Sequence, residues 1–427
     1  MTLAEPLVIT LVIFLLTYSL IITETLNRTV VALIGASLIL FANVLNQEQA
    51  IQAIDFNTIG LLIGMMIIVG VTRRTGVFEY MAIKAAKLAQ GDPVLILVAL
   101  STVTAITSSL LDNVTTVLLI VPVTFSICSE LSIDPIPFLI SQILASNIGG
   151  TATLIGDPPN IMIGSASGLS FLDFALNLFI PIAATFLATM LILRVIYRKK
   201  LKASELARAR IMDLPELEAI KDFALLKKSL FVLSLTILGF LLHKVLNFEP
   251  ATIAIGGATL LLLITKEEPE DIFLTIEWPT LFFFAGLFII IGALDQVGVI
   301  EWVARRSIEA TGGVISATTM LILWLSAVAS AFIDNIPFVA TMIPLIQKMG
   351  QIGGITNLKP LWWALSLGAC LGGNGTLIGA SANVIVAGLA EKNGVILTYK
   401  GFLKIAFPLM ILSVIISTVY IFAVYLR

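Results

Sequence analysis

Leu111-Asp112-Asn113-Val114 and Ile333-Asp334-Asn335-Ile336 stand 222 residues apart in this chain and decide its fold. Each acid follows a serine by four positions, and both copies lie inside long apolar stretches. An ionised side chain inside hydrocarbon is costly and marks a functional site by default. A duplicated acid-amide pair therefore predicts two half-sites that meet around one solute.

The composition indicates a membrane protein. The chain has 427 residues, of which 58% are hydrophobic and only 12% are charged, and its mean hydropathy is +1.06. Soluble domains carry about 25% charged residues. Apolar runs long enough to cross a bilayer recur along the whole length. We therefore expect an all-α polytopic protein embedded in the lipid bilayer of the cell inner (plasma) membrane, with no nucleic-acid partner.

The duplication extends beyond the acid-amide pair. At an offset of 222, and of 223 after one insertion, glycines and polar residues of the two halves coincide, and Gly149-Gly150 meets Gly372-Gly373. The repeats are predicted at 6–200 and 228–427, with a linker at 201–227 between them. Ten of the 25 basic residues lie between Arg194 and Lys228. Since cytoplasmic loops are rich in Lys and Arg, the segment 198–228 is predicted to be cytoplasmic.

Each half is predicted to contain five transmembrane helices, one re-entrant helical hairpin and one broken helix. The hairpins are placed at 94–128 and 316–349 because each arm, at about 12–15 residues, is too short to cross comfortably. Five is an odd number, so the halves form inverted repeats. The broken helices are placed at 136–166 and 360–390, where glycines and prolines interrupt apolar sequence.

Breaks inside a membrane are tolerated only beside a protein-lined or wet cavity. Freed carbonyls there can bind a cation. Asp and Asn oxygens at a hairpin tip, with a serine hydroxyl one turn earlier, complete an oxygen shell for a hard cation such as sodium. We expect sodium sites at two sets of residues, Asp112, Asn113 and Gly156 and, in the second half, Asp334, Asn335 and Gly379. The other candidate site residues are Ser108, Asn160, Ser330, Asn374 and Asn383.

Each candidate also has a structural interpretation. The acids can cap the second arm of each hairpin, the serines can bond back to a carbonyl, and the glycines can serve close packing. Asp157 is different because the repeat places Ala380 opposite it. An acid present in one half only is the candidate proton carrier. Neither a cofactor nor a transition-metal site is expected, so sodium and protons are the expected coupling ions.

The segment Gly149–Asn160 and the two Asp-Asn tips resemble the ion transporter superfamily. That superfamily includes bacterial arsenite efflux permeases, NhaD-type sodium/proton antiporters, the P protein with its citrate-transporter-like domain and, more distantly, the divalent-anion/sodium symporters. The resemblance implies a homodimer and an elevator-like motion of the hairpins against a scaffold at 7–45 and 229–265. In the dicarboxylate symporters the tips read Ser-Asn-Thr. Here an acid replaces the serine, and two added negative charges oppose dicarboxylate transport.

The function predicted from these features is ion-coupled secondary transport, with sodium/proton antiport as the first interpretation and no enzymatic activity. Proton-coupled efflux of arsenite, antimonite or silicic acid is the alternative, and arsenite efflux would allow a separate ATPase subunit. Sodium-coupled dicarboxylate uptake and a channel rank lower. So does an intramembrane aspartyl protease, because Leu154 stands where the Gly-x-Gly-Asp signature needs glycine before Asp157.

Overall fold

The computed structural model describes residues 4–23 and 25–426, and within these ranges the chain contains helices and no strands. The helices of the first half are α1 (Ala4–Thr23), α2 (Arg28–Phe41), α3 (Gln47–Ala53), α4 (Phe56–Arg74), α5 (Val77–Leu88), α6 (Pro93–Leu110), α7 (Asn113–Leu131), α8 (Ile136–Thr151), α9 (Pro158–Ser167) and α10 (Phe171–Tyr197). The linker carries α11 (Glu205–Asp213) and a 3-10 helix (Glu216–Ala219).

The second half repeats the order of the first. Its helices are α12 (Phe223–Leu246), α13 (Pro250–Thr265), α14 (Pro269–Phe273), α15 (Trp278–Gln296), α16 (Val299–Ala310), α17 (Ile315–Phe332), α18 (Asn335–Gly353), α19 (Lys359–Gly372), α20 (Ser381–Lys392) and α21 (Tyr399–Tyr425). The second repeat was predicted to end at Arg427, which lies outside the described residues.

The elements match the predicted inventory in both halves. Five spans are present in each half. In the first half they are α1, α2, α4, the broken pair α8–α9 and α10. In the second half they are α12, α13, α15, the broken pair α19–α20 and α21. A hairpin, α6–α7 or α17–α18, precedes each broken helix. The short helices α3 and α14 were not predicted, yet they begin at Gln47 and Pro269 and so obey the same offset.

Packing between the halves follows a pseudo-two-fold pattern. The second span of each half packs on the third span of the other, as α2 on α15 and α13 on α4. Likewise the hairpin arm α7 contacts α20, and its counterpart α18 contacts α9. Five spans in each half give the two repeats opposite orientations, so the pseudo-two-fold axis relates inverted repeats.

The hairpin arms are longer than predicted. They contain 18 or 19 residues, or about 27 Å of helix, and not 12–15 residues. Three of the four are among the nine helices of the described chain that are long and apolar enough to cross a membrane. Length therefore does not identify them as re-entrant. Their tips do, because Asn113 and Asn335, which begin the second arms, are both buried inside the protein.

Local sequence explains where these elements begin and bend. Asp112 caps α7 by accepting from Thr115 N, and Asp334 caps α18 by accepting from Ile336 N. Pro122 and Pro344 lie inside the same two arms and remove one helical hydrogen bond each.

The segment between α10 and α12 runs from 198 to 222, earlier than the predicted 201–227, because α10 ends at Tyr197 and α12 begins at Phe223, where Asp222 provides the cap. The linker lies against the first hairpin side of the molecule, where α11 contacts α7 and the 3-10 helix contacts α5. Large apolar side chains are exposed along α10, among them Leu187, Leu191 and Val195. An exposed apolar helix face of this kind is typical of contact with lipid tails.

Candidate functional site

The two hairpin tips meet at Asp157. Asn113 is the first residue of α7 and Asn335 the first residue of α18, while Asp157 precedes α9 at the break of the first broken helix. Nδ2 of Asn335 lies 3.3 Å from Oδ2 of Asp157, and Nδ2 of Asn113 lies 3.4 Å from its Oδ1. Asp157 is fully buried. The repeats thus bring both tip amides to one carboxyl group.

Asn147 of α8 extends this contact into a network that the sequence did not predict. Its Nδ2 donates to Oδ1 of Asn374 and to Oδ1 of Asn383, each at 2.9 Å, and its Oδ1 accepts from Nδ2 of Asn113 at 3.1 Å. One amide therefore joins the first hairpin tip to the second broken helix. The offset of 223 pairs Asn147 with Cys370, so this difference between the repeats is visible in the sequence.

Asn160 and Asn383 hold the two helix breaks in shape. Nδ2 of Asn160 donates to the carbonyls of Thr151 and Thr153, and Nδ2 of Asn383 donates in the same way to Gly373 and Thr376. These carbonyls are among those that the breaks were expected to free for a cation. Their pairing satisfies backbone groups that hydrocarbon could not.

Ser108 and Ser330 bind the hairpins to the broken helices. Ser108 Oγ donates to the carbonyl of Ser146 at 2.7 Å, and Ser330 Oγ donates to that of Ala369 at 2.6 Å. Gly156 lies beside the first contact, where an added Cβ would come within 2.6 Å of the Ser108 carbonyl. Gly379 takes the equivalent place beside Ser330, at 2.9 Å. Close approach of hairpin and break thus requires both glycines.

The two tip acids have different partners. Asp112 accepts from Thr115 twice, from its N at 2.7 Å and from its Oγ1 at 2.5 Å. Asp334 instead accepts from Nη1 of Arg28 at 2.9 Å and from Oγ of Ser381 at 2.7 Å. Arg28 comes from the start of α2, and Ser381 starts α20.

A small cavity of about 40 Å³ opens between these groups. The helices α2, α4 and α15, which belong to the first three spans of the two halves, form one wall of this cavity. It is lined by Arg28, Leu62, Met66, Asp112, Asn113, Val114, Asp157, Pro158, Glu277, Thr280, Asn335, Ile336, Ser381 and Ile385. A water needs roughly 10–15 Å³ on this measure, so the space suits a few waters or one small ion.

Acidic groups outnumber basic groups in the lining of this cavity. Asp112, Asp157 and Glu277 contribute three carboxyl groups, against the single guanidinium of Arg28. Asn113 Oδ1 is buried and has no hydrogen-bond partner among the described residues. Asp157 likewise has no Lys or Arg partner in the part of the chain that the structure describes. A buried acceptor without a donor is unfavourable, so the site is suited to an incoming cation or donor.

Several cavity residues were missed from sequence. Arg28 was not among the predicted site residues, and Glu277 and Thr280 are brought to the site by the packing of α15. Ser381 had a visible signal, because the offset of 223 places it opposite Pro158. No group of three or more His, Cys, Asp or Glu side chains that could hold a metal ion occurs between residues 4 and 23 or 25 and 426.

Two broken helices, two buried hairpin tips and a cavity that contains carboxyl and amide groups between inverted repeats define a multi-pass membrane transporter. The chain belongs to the citrate transporter family, because a family model with the description "Citrate transporter" matches residues 18–368. An "uncharacterized transporter" of Mycobacterium tuberculosis is 43% identical over 424 residues, which cover 98% of each chain. The alignment with this transporter thus extends over nearly the full length of both chains.

Two further comparisons are with part of a longer protein and with a solved structure. The human P protein is 35% identical over 489 aligned positions, which cover 95% of this chain and 58% of the P protein. The YdaH transporter of Alcanivorax borkumensis, described as having an unusual topology, aligns with a TM-score of 0.55 and 15% identity. The alignment covers 86% of this chain and 85% of YdaH, and shows a shared fold.

Proposed function

We propose that this chain is a secondary transporter that exchanges sodium for protons. One observation carries the proposal: three carboxyl groups face one guanidinium in the cavity between the hairpin tips, and Oδ1 of Asn113 there has no hydrogen-bond partner among the described residues. A hard cation prefers such oxygen ligands, and a proton can replace it on a carboxylate. Ion and proton would therefore compete for one set of atoms, which is the requirement for exchange.

Asp157 is the proposed proton carrier. It is fully buried, and its contacts are to the amides of Asn113 and Asn335. An ionised carboxylate in this position requires a compensating charge, which can be a proton or a cation. Asp112 and the unpaired Oδ1 of Asn113 line the same cavity and would complete the cation site. Binding of sodium would then release the proton.

The exchange would couple to movement of the hairpins. In our proposal the hairpins and broken helices form the moving part, and the spans at 7–45 and 229–265 form an immobile scaffold in a homodimer. Support comes from the packing, in which each hairpin contacts its own broken helix closely while α2 and α13 pack on α15 and α4. The membrane would be the plasma membrane, with the basic linker in the cytoplasm.

A neutral solute rich in hydroxyl groups is the second candidate. Arsenite or silicic acid would donate hydrogen bonds to the same acceptors and is small enough for a cavity of about 40 Å³. Protons would then drive efflux, or a separate ATPase subunit would in the arsenite case. Citrate fits less well, because its carboxylates would meet Asp112, Asp157 and Glu277 with Arg28 already paired to Asp334. Charge repulsion of this kind opposes binding.

The test is a flux assay in proteoliposomes that contain a pH dye. External sodium should make the lumen more alkaline, because protons leave as sodium enters, and the rate should saturate with sodium concentration. Asp112→Asn and Asp157→Asn should abolish the signal, whereas Glu309→Gln, on the exposed face of α16, should not. A pH change driven by arsenite, silicate or citrate without sodium would overturn the proposal. A conductance that never saturates would indicate a channel.

A further inference from the structure

Arg28 already occupies the second of the two acid half-sites. Its Nη1 lies 2.9 Å from Oδ2 of Asp334 and 2.7 Å from Oγ of Ser381, which itself donates to Asp334. The guanidinium also lies over the ring of Phe283 at 5.2 Å from its centre. The side chain of Asp334 is 13% exposed and that of Arg28 is 33% exposed. The ion pair is therefore partly shielded from water.

The first half-site has no such cation. No Lys or Arg forms an ion pair with Asp112 within residues 4–23 and 25–426. The repeat explains this difference, since Pro250 stands at the position equivalent to Arg28. The hydroxyl donors also differ between the halves. Thr115 donates to Asp112, and the equivalent position of the second half is Pro337. Ser381 donates to Asp334, and the equivalent position of the first half is Pro158. The two acids are thus equivalent in sequence and different in charge environment.

A mobile cation at Asp334 would have to displace a guanidinium that is covalently attached to the chain. A tethered group competes at a high effective concentration. Its bond to a carboxylate is charge-assisted and partly buried, which makes it stronger than an exposed ion pair. At Asp112 an incoming cation meets no such competitor. Free ions should therefore bind at the first half-site long before they bind at the second.

We propose that Arg28 is a built-in counter-ion for Asp334, so that each chain takes one mobile cation, at the Asp112 half-site, and not two. This inference rests on the proposed function and specifies its stoichiometry. Arg28 belongs to α2 of the proposed scaffold, whereas Asp334 belongs to the second hairpin. Without Arg28 the chain would contain two cation sites related by the pseudo-two-fold axis.

Equilibrium binding of radioactive sodium to the purified full-length chain tests the inference. The wild type should bind one sodium per chain, Arg28→Gln should bind two, and Arg28→Gln combined with Asp334→Asn should return to one. Arg306→Gln is the matched control, because Arg306 is exposed on α16 and pairs with Glu309. It should bind one sodium like the wild type.

The outcomes separate this inference from the proposed function. Two sodium ions on the wild type would overturn the inference while sodium binding stands. One sodium on a folded Arg28→Gln variant would also overturn it. Should the wild type bind none and Arg28→Gln one, the counter-ion role is supported and sodium exchange at Asp112 fails. If neither the wild type nor Arg28→Gln binds sodium, both the inference and the proposed function are refuted. The wild-type count decides between one site and two even if Arg28→Gln does not accumulate.

Discussion

Nδ2 of Asn335 lies 3.3 Å from Oδ2 of Asp157, so an amide from the second repeat reaches an acid that only the first repeat carries. The equivalent residue of the second repeat is Ala380, which is fully buried and has no ionisable group. The two hairpins therefore share one carboxyl group where strict symmetry would give each its own. Movement of either tip would change the environment of Asp157, and in our proposal this would link the hairpins to proton binding.

Asp157→Asn should reduce proton-coupled flux to the background of empty vesicles. The amide keeps the size of the carboxyl group but can neither ionise nor bind a proton near neutral pH. The fold should persist, because the change removes a buried charge and not a packing contact. Internal pH in proteoliposomes measures the effect, with Glu309→Gln as the control for loss of an exposed acid. Sodium-driven proton release by Asp157→Asn would exclude it as the proton carrier.

Asn147→Ala should destabilise the protein and reduce transport. The substitution leaves the buried acceptors of Asn374 and Asn383 without partners and takes from the Asn113 amide one of its two acceptors. Each orphaned group costs about 1–3 kcal/mol. Thermal unfolding in detergent should show the loss. Asn393→Ala is the comparison, because Asn393 ends α20 on the exposed surface and its Nδ2 contacts one carbonyl of its own helix. Equal unfolding temperatures for the two variants would contradict a structural role of the network.

The sequence was sufficient to predict the spans, the breaks and the tips, because each is a local pattern repeated at one offset. Asp112, Asn113 and their equivalents were found in this way, and both Asn residues reach Asp157. Arg28 could not be found as a cavity residue. It lies 306 positions from Asp334 in sequence, and the contact depends on how α2 packs against the second half.

The missed residues fall into two groups. Asn147 and Ser381 break the repeat, so a systematic search for asymmetric positions would have found them as it found Asp157. Glu277 and Thr280 break no obvious pattern, because they lie at the start of α15, where polar residues are common at helix ends. Their contribution follows from the cavity alone.

Gly156→Ala should strongly reduce the amount of folded protein. A Cβ at this position would come within 2.5 Å of the Gly150 carbonyl and 2.6 Å of the Ser108 carbonyl, both of which are backbone atoms with little room to move. Overpacking of this kind costs about 1–3 kcal/mol or more. Gly388→Ala is the matched control, because no atom lies within 4 Å of its added Cβ. Size-exclusion profiles of the two variants measure the difference, and equal monodisperse peaks would contradict the predicted clash.

The contact between the linker and α5 should weaken in acid. Lys87 donates to Glu216 in the 3-10 helix, and this hydrogen bond and charge lower the pKa of the Glu216 carboxyl group below its ordinary 4.5. A carboxyl group with a lowered pKa stabilises the folded state fully above its ordinary pKa. That contribution is lost as the pH falls through the lowered value. The docked linker should therefore begin to loosen below about pH 4.5.

Hydrogen exchange at the amide of Lys221 reports this loosening, because that N–H donates to the Thr75 carbonyl at 3.0 Å only while the linker is docked. Comparing variants at one pH cancels the intrinsic pH dependence of exchange. Glu216→Gln should exchange faster than wild type at pH 7, and the difference should be smaller at pH 3, since protonation of the wild-type carboxyl group removes the same charge. Glu218→Gln, an exposed neighbour, should match wild type at both. A difference between Glu216→Gln and wild type that persists undiminished at pH 3 would show that the ion pair does not hold the linker.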